Sequence, residues 1–90
     1  MAKIKFDWDA GNLGKCAARV PIAEIEALFN GGVMRVRRDP CPREERYQGV
    51  GKNALGRGIF VAFTYRWKEN ELHVRPVSVR YIHRERGRKE

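Results

Sequence analysis

The sequence predicts an α+β fold: an N-terminal strand and two short helices, then an antiparallel meander of about four strands. Three observations carry this. Residues 21–32, "PIAEIEALFNGG", place Ile22, Ile25, Leu28 and Phe29 on one helical face between a proline start and a glycine stop. Beyond residue 32, the apolar residues alternate or run together over strand-like lengths. Short polar stretches, "DPCP", "NALGRG" and "KENE", separate those runs, and turns that short imply antiparallel hairpins. Ninety residues are expected to form one domain, 1–90, with 85–90 a flexible charged tail.

Each element has its own reason. "KIKFDWD" alternates Ile4, Phe6 and Trp8 against Lys3, Lys5 and Asp7, the pattern of a half-buried strand. Asp9 is a candidate cap for the first helix, with Trp8 and Leu13 as a hydrophobic staple. Gly11, Asn12 and Gly14 make that helix weak. Glu24 and Glu26 suit the positive end of the second helix. "VMRVRR", "EERYQGVGK", "IFVAFTYRW" and "LHVRPVSVRYIH" are the four strands of the meander. The third is nearly continuous in apolar residues and is expected at the centre of the sheet. Pro76 predicts an edge or a bulge in the fourth, so periodicity alone leaves open whether Arg75 and Arg80 share a face.

Charge is the strongest functional signal. The chain has 19 Lys plus Arg against 11 Asp plus Glu, a net charge of +8 and a pI near 10.1. Thirteen of the 19 are arginine, whose planar fork grips phosphate in two places. Such a balance points first to nucleic acid and next to an acidic protein partner; charge for solubility alone is the bland alternative. Cys16 and Cys41 form no CxxC pair, and with His73 and His83 they match no zinc spacing. They are expected to be buried thiols in a reducing compartment, with no metal and no cofactor. "MAKIKFDWD" has no apolar run, so neither a signal peptide nor a membrane anchor is expected, and the expected location is cytoplasmic. "GVGKNALGRG" lacks phosphate-loop spacing and precedes a strand, which rules it out as such a loop.

The enzyme class that suits converging arginines is metal-free RNA cleavage. The ribose 2′-OH attacks the adjacent phosphate, and arginine stabilises the charge that builds there. His73 and His83 are the side chains whose ordinary pKa suits proton transfer near neutrality. Arg66 lies on the strand face of Phe60, Ala62 and Thr64 and is expected near Arg75; Arg46 adds to the second strand. Ion pairing with Glu44, Glu45, Glu69 and Glu71 is the competing reading of these arginines. Tyr65, Trp67 and Tyr81 are candidate stacking platforms, although aromatic residues on strands more often serve the core.

The order "FDWDAGNLGKC", "IAEIEALF", "EERYQGVGKNALGRGIFVAFTYR", "RPVSVRYIH" resembles the BrnT family over residues 5–84. The resemblance implies a ribonuclease toxin of a type II toxin–antitoxin system with a RelE-like fold. It implies translation inhibition, and neutralisation by a BrnA-like ribbon-helix-helix antitoxin that carries the complex to operator DNA. The catalytic candidates are Arg66, Arg80 and His83, and the RNA-binding candidates are Lys15, Arg19, Arg46 and Arg75. Where family members read Lys-His-Gly-Val-Ser between the helices, this chain reads "KCAARVPI", with Ala18 or Arg19 in place of the histidine. That departure implies an alternative, an inactive module that binds antitoxin or RNA without cleaving. The chain also ends at Glu90, early for a member with a C-terminal helix.

Overall fold

The computed structural model describes residues 4–31, 34–40 and 45–82. Their architecture is the α+β class expected. Strand β1 (Lys5–Phe6) leads through helix α1 (Leu13–Ala17) and helix α2 (Ile22–Asn30) into β2 (Met34–Arg38), β3 (Tyr47–Lys52), β4 (Gly58–Lys68) and β5 (Glu71–Tyr81). The five strands form one sheet in the order β1-β5-β4-β3-β2. The β2–β5 meander is antiparallel throughout, and β1 returns to pair parallel with β5. The apolar run of β4 is central, as its composition predicts.

One face of the sheet is closed by the helices. Ile59, Val61 and Phe63 of β4 and Val74 and Val79 of β5 pack with Ile25 and Leu28 of α2, and with Cys16 and Val20. An aromatic chain extends this core, with Phe29 edge-on to both Phe6 and Phe63, and Tyr47 stacked on Phe63. Cys16 is a free, buried thiol, as expected, and burial raises its pKa. Cys41 lies outside the described residues, as do Lys3, Gly32, Glu44, His83 and the tail 85–90.

The start of the chain departs from its pattern. α1 begins at Leu13 rather than beside Asp9, because the carboxylate of Asp9 turns back to accept the Gly11 N–H at 2.8 Å. Leu13 is 42% exposed and makes no staple with Trp8, whose indole instead donates to Glu26 Oε2 at 2.9 Å. Asn12, predicted only to weaken the helix, is a buried rivet. Its amide donates to the carbonyls of Asp7 and Pro76, and its Oδ1 accepts the Asp9 N–H. Asp7, predicted on the solvent side of β1, is 4% exposed.

The bulge predicted from Pro76 is present. Ala62 pairs with Ser78 and Phe63 with Pro76, so Val77 is the extra residue of β5. The insertion turns Val74, Pro76, Val79 and Tyr81 toward the helices together. It also puts Arg75 and Arg80 on the same, open face.

The β4–β5 hairpin closes through two residues in the left-handed region, Glu69 at φ 54° and Asn70 at φ 65°. Such a turn suits the twist of the strands but favours Asn or Gly over Glu at its first position. Glu69→Asn is therefore expected to raise stability by about 0.5 kcal/mol, read as a higher urea midpoint at unchanged slope.

Candidate nucleic-acid interface

Residues paired across neighbouring strands share a face of the sheet. On the face away from the helices, one such row crosses four strands: Arg35, Val50, Phe60 and Arg80. The adjoining row is Arg37, Gln48, Ala62 and Ser78. Further along β4 and β5 come the pairs Thr64–Arg75, Arg66–His73 and Lys68–Glu71. The open face thus carries cations at both ends of the long β4–β5 ladder.

At one end Arg80 is exposed, its guanidinium carbon 4.9 Å from the centre of the Phe60 ring. No carboxylate is hydrogen-bonded to it among the described residues. Directly behind it, Tyr81 donates its hydroxyl to Glu24 Oε1 at 2.8 Å, and the Asn53 amide donates to the same oxygen at 3.1 Å. These two donors, Asn53 first, hold the Glu24 carboxyl below its usual range, while Glu24 holds the Tyr81 phenol above its own. Arg57 lies over the Tyr81 ring at 3.9 Å. The cluster fastens the end of β5, and so Arg80, to α2. Sequence reasoning gave Glu24 only a helix-end role; its partners stand 29 and 57 residues away, where no local spacing reveals them.

At the other end Arg66 is exposed opposite His73, whose Nδ1 is 3.0 Å from the Glu71 carbonyl oxygen. Six residues of strand separate Arg66 from Phe60, the partner of Arg80, which is roughly 20 Å at 3.3–3.4 Å per residue. Arg66 and Arg80 therefore stand at separate places on the face. The convergence of the arginines on one phosphate, expected from the sequence, is not what the register produces.

Arg75 lies between them, on Arg66's side of the bulge, and is already engaged. It donates to Asp7 Oδ2 at 3.2 Å and to both carboxylate oxygens of Asp9 at 2.9 and 3.2 Å. Lys68 Nζ reaches Asp7 Oδ1 at 2.9 Å. The hydrogen bond from Lys68, then that from Arg75, lowers the Asp7 pKa despite its burial. The Asp9 carboxyl is lowered chiefly by Arg75. Ion pairing does take up an arginine, as the competing reading holds, but the acids are Asp7 and Asp9. Of the acids named for that role, Glu45 pairs with Arg38 and Glu71 with Lys5, both at the surface.

The remaining candidates are dispersed. Lys15 and Arg19 are exposed on α1 and just after it, and among the described residues no hydrogen bond or ion pair links them to Arg66 or Arg80. Arg46 is half-buried before β3, and its carbonyl accepts the Asp39 N–H at 2.7 Å. His83 lies outside the described residues. Tyr65 and Trp67, 43% and 73% exposed, share the opposite sheet face with Val74 and Leu72, as Tyr81 does with Ile59. The aromatic ring on the arginine face is Phe60. Alternation along β4 was the signal that places it there. Among the described residues, no three His, Cys, Asp or Glu side chains are grouped to hold a metal, and no helix is long and apolar enough to cross a membrane.

The family model for the ribonuclease toxin BrnT of type II toxin–antitoxin systems matches residues 8–85. No curated protein and no solved structure matches the chain. The matched span takes in both helices, the whole meander, the Arg35–Arg80 row and the Arg66 end of the ladder. The chain therefore belongs to the BrnT family, the ribonuclease toxins of type II toxin–antitoxin systems.

Proposed function

We propose that this protein cleaves RNA without a metal ion, that it inhibits translation by doing so, and that a BrnA-like ribbon-helix-helix antitoxin neutralises it. In this reading the 2′-oxygen bonds to the adjacent phosphorus, and the bond from phosphorus to the 5′-oxygen breaks. A base takes the 2′-OH proton, and an acid returns one to the leaving 5′-oxygen. The products are a 2′,3′-cyclic phosphate and a 5′-OH end. Operator DNA is reached through the antitoxin complex, and the setting is the cytoplasm, where the RNA substrate is.

The observation that carries the reading is Arg80: exposed on the open face, beside an aromatic ring, with no carboxylate partner among the described residues. An unpaired guanidinium keeps its charge for the phosphate, and arginine does not lose its proton at working pH. We assign Arg80 the charge building on phosphorus. His83, three residues on in the sequence, is the candidate for proton transfer. Arg66 takes a phosphate further along the strand. Lys15, Arg19 and Arg46 are assigned outlying contacts, while Arg75 first serves the fold through Asp7 and Asp9.

Cleavage of end-labelled RNA by the purified protein in EDTA tests the reading. Arg66→Ala separates the two arginine roles. It is expected to raise KM with kcat nearly retained, and to reduce the slope of log K against log salt by about 1. A collapse of kcat in Arg66→Ala would instead put Arg66 at the reacting phosphate. RNA binding with no cleavage by the wild type would favour the inactive module, with the "KCAARV" stretch and its missing histidine as the motive.

A further inference from the structure

We infer that the row Arg35–Val50–Phe60–Arg80 is a subsite for one unpaired RNA base and the phosphate beyond it, so that the substrate crosses the strands as a single strand. The inference rests on the ribonuclease reading and names the substrate class. Two apolar side chains occupy the middle of the row and an arginine stands at each end. Val50 is 43% exposed, and Phe60 is half-buried with the Arg80 guanidinium 4.9 Å from its ring centre, so the apolar floor is Val50 and the part of the Phe60 ring that Arg80 leaves uncovered. Two depressions, of about 590 and about 580 Å³, adjoin this floor and share Arg35 and Val50 as walls.

Spacing and charge decide the ligand. Three inter-strand steps separate Arg35 from Arg80, roughly 14 Å at about 4.8 Å each. A single strand alternates anion and flat ring, which is the complement of an arginine, apolar floor, arginine sequence. A paired base in a duplex shows its edge and cannot lay its face on such a floor. Among the described residues, no acid is paired with the arginines of the row. Gln48, in the next row, accepts from Arg37 at 3.0 Å and donates to Asp39 at 3.1 Å, while Arg35 and Arg80 have no ion pair among the described residues. On the far side Lys52 pairs with Gly58, over which the Ile82 side chain lies. The basic border therefore continues past the row.

The test uses a fluorescent 2′-O-methyl oligoribonucleotide, which keeps bases and phosphates but has no attacking 2′-OH. An abasic oligomer and a duplex of the same length are the comparisons. The wild type is expected to bind the single strand on the order of tenfold better than the abasic oligomer. Phe60→Leu should remove most of that difference. Arg35→Gln, on an exposed edge strand, should weaken both oligomers and lower the salt slope by about 1. Equal affinity with and without bases, duplex binding as tight as single-strand binding, or an unchanged salt slope in Arg35→Gln would overturn the subsite. Cleavage of the all-ribose oligomer is scored separately. Cleavage with no effect of Arg35 or Phe60 on binding sinks the subsite and leaves the ribonuclease reading. The expected binding effects without cleavage do the reverse. If Arg35→Gln spares the oligomer and weakens a purified BrnA-type antitoxin, the row belongs to a protein partner and the inference fails.

Discussion

Arg80→Ala is expected to slow RNA cleavage by about 10²–10³-fold, the range seen when one preorganised donor to a developing oxyanion is removed. The fall should appear in single-turnover kcat, because Arg80's contribution grows as charge gathers on phosphorus. Binding should weaken far less, since the other cations of the open face remain. Arg80→Lys is the informative companion. It keeps the charge but loses the two-pronged grip and the broad contact over Phe60. Its rate should therefore lie between those of wild type and alanine. Tyr81 and Glu24 are untouched by either change, so circular dichroism and the thermal midpoint should stay near wild type. An alanine variant that cleaves at the wild-type rate would remove Arg80 from the chemistry.

Asp7→Ala is expected to cost about 2 kcal/mol of stability near neutral pH, the scale of losing hydrogen bonds to a buried charged group. Asp7 is 4% exposed and holds both Arg75 and Lys68, tying β1 to the middle of the β4–β5 hairpin. Lys68 is half exposed, so most of the effect comes through Arg75, whose side chain is 16% exposed. Asp9 keeps a grip on Arg75 in the variant, which is why the cost stays below that of stranding a buried cation. The pH dependence has a defined sign. The folded state lowers the Asp7 pKa, so its contribution is present above the ordinary carboxylate value near 4 and is lost as pH falls through the lowered one. Urea titrations of wild type should show stability falling steeply on the acid side of pH 4, and Asp7→Ala should flatten that limb. Identical acid limbs would show that Asp7 is not the anchor.

The legibility of this chain follows from which signals are local. α2 was legible because its apolar stripe, proline start and glycine stop all lie within a dozen residues. The meander was legible because turn chemistry separates the strands. The start of the chain was not. Asp7 and Asn12 have the polar identity of surface residues, and their partners, Lys68, Arg75 and the Pro76 carbonyl, come from the far end of the sequence. Pro76 announced a bulge, but only the pairing of β4 with β5 shows that Val77 is the residue inserted. The same pairing sets where the arginines stand on the sheet. The arginines were conspicuous in the sequence, yet their distances along a strand and their engagement with acids were not. Register separates Arg66 from Arg80, Asp7 and Asp9 engage Arg75, and the row brings in Arg35 and Phe60, which composition alone does not distinguish from their neighbours.

The proposed reaction is metal-free transesterification on the open sheet face. It is tested most directly by identifying the ends of the RNA fragments that the purified protein produces in excess EDTA. The expected products carry 2′,3′-cyclic phosphate and 5′-OH ends, form at the same rate with and without the chelator, and disappear in Arg80→Ala. Fragments with 3′-OH and 5′-phosphate ends, or cleavage abolished by the chelator, would contradict it.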